Sequence, residues 1–163
     1  MNTTPQALRA ARGFTLIELM ITLVILALLA GGAMTFADLS IRRSQEQELR
    51  VALRQIREAI DAYKQAADTG RIRKAADETG YPRSLAELTE GVPDAANAKA
   101  GKRYFLRRLP RDPFANASLP AAATWGVRSY ASEPDNPQPG RDVFDVYSLS
   151  SRQGMNGQPY RAW

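Results

Sequence analysis

A chain of 163 residues with 22 basic and 17 acidic side chains, a net charge of +5 and neither Cys nor His is restricted in its chemistry. Without Cys no disulfide can brace a domain outside the cytoplasm, and without His the commonest general base and the commonest metal ligand are both missing. The two charge signs are interspersed, with no block of five like charges and no Arg-rich aromatic patch, so the charges describe a solvated surface and no nucleic-acid partner is expected.

Residues 1–13 are polar and carry Arg9 and Arg12 but no acid. From Phe14 to Ala37 follow 24 residues with one charge, Glu18. As a helix this run is roughly 36 Å long, enough to cross a ~30 Å hydrocarbon core. The basic flank then places the N-terminus in the cytoplasm and the bulk of the chain outside. Ala30-Gly31-Gly32-Ala33 supplies small residues of the kind a secretory peptidase cuts beside, and such cleavage is an alternative. A carboxylate inside an apolar span costs ~2.5–3.5 kcal/mol on insertion scales. No Lys, Arg or His within the run can neutralise Glu18, so its partner is expected from elsewhere. The alternative is a carboxylate that snorkels to the headgroups.

The helical pattern continues past the apolar run. Leu49, Leu53, Ile56, Ile60 and Tyr63 recur at steps of 4, 3, 4 and 3, a heptad seam. Glu46, Arg50, Arg54, Arg57, Glu58, Asp61 and Lys64 are assigned to other faces. One helix is predicted from about Thr15 to Ala67, its second half buried against its own domain. Gly31-Gly32 weakens the interior, each Gly costing ~1 kcal/mol against Ala.

Gly70 ends the helix, and Arg71 to Thr79 is loop or a helical turn. Gly80-Tyr81-Pro82 is a turn, and Ser84-Leu85-Ala86-Glu87 reads as a capping box opening a short helix to about Thr89. Gly91 to Lys102 reads as loop. Pro110 and Pro113 shape a turn into a small sheet. Strands are predicted at Thr124 to Ala131 and Val143 to Leu149, joined by the Pro-rich stretch Glu133 to Gly140, with a third stub near Tyr160. The fold class is α+β: a long N-terminal helix, transmembrane half plus amphipathic half, packed on a small antiparallel sheet.

Arg12-Gly13-Phe14-Thr15-Leu16-Ile17-Glu18, followed by Leu19-Met20 and the apolar run, resembles the processing motif of type IV prepilins and type II secretion pseudopilins. Tyr81-Pro82 followed by Leu85 and Leu88, and Leu109-Pro110-Arg111-Asp112-Pro113-Phe114, are similar to segments of the major type II pseudopilins. The resemblance is strongest from Arg12 to Tyr63 and thins beyond Leu149. It implies a prepilin peptidase that cuts after Gly13 and N-methylates Phe14. It divides the chain into a leader (1–13), a transmembrane and assembly helix (14–37) and a periplasmic pilin-like globular domain (38–163). It also supplies the partner of Glu18: the methylated Phe14 amine of a neighbouring subunit, a pair that sets the register of a helical filament. Other implied partners are further pseudopilins and an inner-membrane assembly platform.

Two departures stand out. The family's Pro, about 22 residues into the mature chain, falls near Thr35 here and is absent, and Gly31-Gly32 is read as supplying local softness in its place. The family's C-terminal calcium site needs several carboxylates. Ser150 to Trp163 holds none, so no metal or other cofactor is expected, and the Gly154-Met155-Asn156-Gly157 turn is read as a structural substitute. The resemblance thus implies a non-enzymatic type II secretion pseudopilin of the bacterial inner membrane. The absence of Cys favours it over the alternative, a type IV pilus subunit for adhesion, motility or DNA uptake. A membrane-tethered enzyme is a third reading, disfavoured by the missing His, Cys and phosphate-binding loop.

Overall fold

The computed structural model describes residues 13–96 and 101–163, and for residues 31–37 the backbone alone. The fold is α+β, with a long N-terminal helix and small antiparallel ladders. The chain divides into two compact units that meet between Ile41 and Arg42, and each is treated by itself.

Helix α1 (Leu16–Asp68) is continuous over 53 residues, within a residue of the predicted span at each end. Thr15 opens it. Its hydroxyl accepts the Glu18 N–H at 3.3 Å and its carbonyl accepts the Leu19 N–H at 3.1 Å, the pattern of an N-cap. Gly70 closes it in the left-handed region at φ 73°, and the Arg71 N–H folds back onto the Ala66 carbonyl at 2.8 Å. The helical backbone passes through Gly31, Gly32 and Thr35, so the glycine pair does not break the helix in the single chain. The softness read there stays an expectation for the filament.

In the second unit the predicted seam is the core. Leu49, Leu53, Ile56 and Ile60 are almost wholly buried, and Leu88, Trp125, Val146 and Tyr160 pack with them. Glu46 requires a correction. Assigned to another face, it stands one step of three ahead of Leu49, on the seam itself, and is buried. A pattern defined by apolar residues ends one position too early when the next seam position is polar.

Helix α2 (Ala86–Glu90) is the predicted short helix, but the capping box is not formed. Ser84 offers its carbonyl to the Glu87 N–H, and no side-chain cap bond is made. The Glu87 carboxylate reaches one residue further back, to the Arg83 N–H at 3.1 Å, and accepts the Tyr63 hydroxyl at 2.9 Å. The Tyr63 bond pulls Glu87 toward α1. Burial, followed by that bond to Glu87, holds the Tyr63 phenol well above its ordinary pKa.

The sheet is also smaller and more divided than predicted. Strands β1 (Val92–Pro93) and β2 (Lys102–Arg103) form a two-residue antiparallel ladder that overlaps the stretch read as loop. Residues 97–100 of that stretch lie outside the described residues. Strands β3 (Trp125–Arg128) and β4 (Asp145–Ser148) form the predicted antiparallel pair, with Trp125 opposite Ser148 and Arg128 opposite Asp145. Both are shorter than their sequence patterns. Gly126 admits the Tyr147 ring so closely that an added Cβ would lie 2.3 Å from it. The stub at Tyr160 is not a strand. Pro159 ends a single bridge to Gln153, and Tyr160–Ala162 is a 3-10 turn. Tyr160 is placed by stacking on Phe114, with centroids 4.2 Å apart, rather than by a ladder.

Two buried carboxylates tie these short elements together. Asp112 accepts the Phe114 N–H at 2.8 Å and the Ser148 hydroxyl. Asp142 accepts the hydroxyls of Thr79, at 2.5 Å, and Ser129, at 2.7 Å, and the Tyr130 N–H at 2.9 Å. Burial raises the pKa of Asp142, but these donors together outweigh it and leave the carboxyl below its ordinary value. A carboxyl depressed in the folded state contributes stability above its unfolded pKa and loses it as pH falls through the folded one. The urea midpoint should therefore fall below about pH 4, and Asp142→Asn should flatten that part of the profile. An unchanged slope in Asp142→Asn would assign the acid sensitivity to other carboxylates.

Candidate processing and assembly site

Gly13, Phe14 and Thr15 precede the first turn of α1, and Glu18 lies within it. The residues before Gly13, including Arg9 and Arg12, lie outside the described residues. A Cβ on Gly13 would meet nothing within 4 Å. The described residues therefore make no demand for glycine at this position, and a requirement for it would come from a molecule that reads the segment. Phe14 is 76 % exposed, and Leu16, Ile17, Leu19 and the apolar side chains up to Leu29 are also exposed. Glu18 is exposed beside them and, among the described residues, forms no ion pair.

The first unit thus presents an apolar helical surface with one carboxylate near its N-terminal end, preceded by Gly13–Thr15 outside the helix. Water is a poor solvent for such a surface at neutral pH, because the apolar area gains by leaving it. Among the described residues no helix is long and apolar enough to cross a membrane. The 14–37 run read from the sequence takes residues 31–37 from those whose side chains are not described.

Sequence reasoning placed the helix start at about Thr15 but did not read Thr15 as its N-cap. The signal was present: Thr15-x-x-Glu18 before an apolar run is the spacing of an N-cap. Among the described residues no three acidic side chains come together as they would to hold a metal ion. The Gly154–Gly157 turn closes on itself, with the Gly157 N–H on the Gly154 carbonyl at 2.9 Å and the Gly154 N–H on the Gln158 carbonyl at 2.8 Å. The Asp112 segment is a turn, its Pro110 carbonyl taken by the Trp125 indole N–H at 2.9 Å.

The prokaryotic N-terminal methylation motif matches the chain over residues 8–34. This motif is typical of type IV pilin-like prepilins, among them both pseudopilins and pilus subunits, and it supports a type IV pilin-like subunit here. No curated protein and no solved structure matches the chain.

Proposed function

We propose that this chain is a type II secretion pseudopilin. It is made as a prepilin with its N-terminus in the cytoplasm and its C-terminal domain in the periplasm. A prepilin peptidase cuts after Gly13 and methylates Phe14. Subunits then leave the inner membrane and stack through their apolar helices into a filament that supports protein export. The contact is head-to-tail, so it propagates instead of closing. The Phe14 amine is a cation that exists only after cleavage, and Glu18 is the acid that meets it on the next subunit. No calcium or other cofactor takes part, and the chain itself does no chemistry.

The observation that carries this reading is the exposed apolar face with its single carboxylate, continuous in one helix with the seam that builds the head. Thr15 supports it further: cleavage after Gly13 leaves Phe14 and the cap residue at the new end, so the helix start survives processing. Intact mass and N-terminal sequencing of the protein from its native membrane test the proposal. The expected product begins at methylated Phe14. A chain beginning near Met1, or cut beside Gly32, would sink it. Deletion then separates the two filament classes, since a block in enzyme secretion supports the pseudopilin, whereas loss of surface filaments or of DNA uptake supports the pilus subunit.

A further inference from the structure

The last residues of the chain have almost no ladder of their own. From Ser150 to Trp163 the main chain makes one bridge, Gln153 with Pro159, and its turn bonds lie within the segment. The segment's polar ties to α1 are made by side chains. Glu46 Oε1 accepts the Met155 N–H at 2.8 Å and the Tyr160 hydroxyl at 2.9 Å. Arg42 donates to the Gln153 carbonyl and lies 3.7 Å from the Glu46 carboxylate. Arg57 donates to the Trp163 carbonyl at 2.7 Å, and the Arg50 guanidinium covers the Trp163 ring at 4.4 Å. At 3.6 residues per turn, positions 42, 46, 50 and 57 fall within an arc of roughly 80° and form one stripe on the helix.

The N-terminal end of this stripe differs from the rest. From Leu49 onward the head holds α1 through buried apolar side chains. From Arg42 to Glu48 the only buried side chain is Glu46. Among the described residues, the side-chain hydrogen bonds from those two turns to the rest of the head are those of Arg42 and Glu46, both acting on the 153–160 turn. The head's compact unit begins at the same residue, Arg42. We infer that the 153–160 turn is a latch, closed on the Glu46 carboxylate, that fixes where the head takes hold of α1. With the latch closed the grip starts at Arg42. With it open the grip starts at the first apolar seam residue, Leu49, two turns later. The latch is confined to the head and stands whether or not the chain is a pseudopilin.

The carboxylate suits this task because it accepts two donors at once on one oxygen, and charged acceptors make the stronger hydrogen bonds. The turn is shaped to reach it. A Cβ on Gly154 would lie 2.4 Å from the Trp163 ring, so the loop closes tightly on its own end. Tyr160 is held in line by Phe114 on one face and the edge-on Trp163 ring, 5.0 Å away.

Hydrogen exchange on the full-length protein in detergent tests the latch. In Glu46→Ala, amides 43–48 and 153–160 should lose protection together, by about tenfold or more, the size expected for lost hydrogen bonds to a charged group. Amides 53–63 should keep theirs. Tyr160→Phe removes only the hydroxyl and should shift the same two segments in parallel, by less, and it keeps the test valid if Glu46→Ala fails to fold. Loosening of 153–160 alone, with 43–48 unchanged in both variants, would overturn the inference. So would an equal loss of protection throughout the head, which would make Glu46 a general stabilising residue.

Discussion

Glu18→Ala should abolish filament assembly while leaving the chain processed and its head folded. The acid is exposed in the first unit and, among the described residues, forms no ion pair, so the unfolding transition of the head should match that of the wild type within about 0.5 kcal/mol, as for a surface change away from special features. Assembly is different. In the proposed filament, stacking of the apolar faces shuts Glu18 and the neighbour's Phe14 amine away from water together. Removing the acid leaves an unpaired cation in an apolar interface, a far larger loss than deleting an exposed ion pair. The assembly equilibrium should weaken by about a hundredfold or more. The check is the yield of sheared filaments beside the mass of the membrane pool. Mature, methylated monomer without filament is the expected pattern. Wild-type filament yield from Glu18→Ala would remove Glu18 from the assembly contact. A block already at cleavage would make Glu18 part of what the peptidase recognises.

The sequence displayed some levels of this structure and hid others, for physical reasons. Helix α1 was legible end to end because its signals are local and repeated: an apolar run, a 3–4 seam, and a glycine at the point where the chain must turn. The β3–β4 pair was legible from alternation on either side of a Pro-rich connection, but not its length. Strand ends here are set by long-range bonds such as the Val143 N–H on the Pro82 carbonyl at 2.8 Å, which no local pattern records. The β1–β2 ladder is two residues long, too short for any period to show. Glu46 was hidden for the opposite reason. Its position fits the seam, but a charged side chain signals solvent unless its partners are known, and those partners lie 109 and 114 residues away. At the processing segment the residues Gly13, Phe14 and Glu18 were readable as a motif. What the structure adds is that nothing in the described fold needs glycine at position 13 or the acid at position 18. Residues with no work inside the subunit are the ones whose work is expected outside it.

Asp112 presents the reverse case, a charge whose whole function is internal. Asp112→Ala should destabilise the head by about 3 kcal/mol. The side chain is 3 % exposed and holds two separate pieces of chain. One oxygen fixes its own turn through the Phe114 N–H, and the other receives the Ser148 hydroxyl at the end of β4. Ser148 in turn accepts the Ser150 N–H at 3.1 Å, where the C-terminal segment departs. Alanine would remove the acceptor and strand a half-buried amide and a buried hydroxyl, and each orphan costs more than the bond it replaces contributes. Asp112→Asn keeps one acceptor oxygen and the same shape, so it should lose less than Asp112→Ala. Ser148→Ala keeps the Phe114 bond but leaves the Ser150 N–H and one Asp112 oxygen without their Ser148 partner, so it should be milder than Asp112→Ala without being neutral. Urea unfolding of the three variants of the full chain in detergent gives the order. Asp112→Ala within about 0.5 kcal/mol of wild type would mean that water satisfies the same donors, and the Leu109–Phe114 turn would then owe its shape to its two prolines alone.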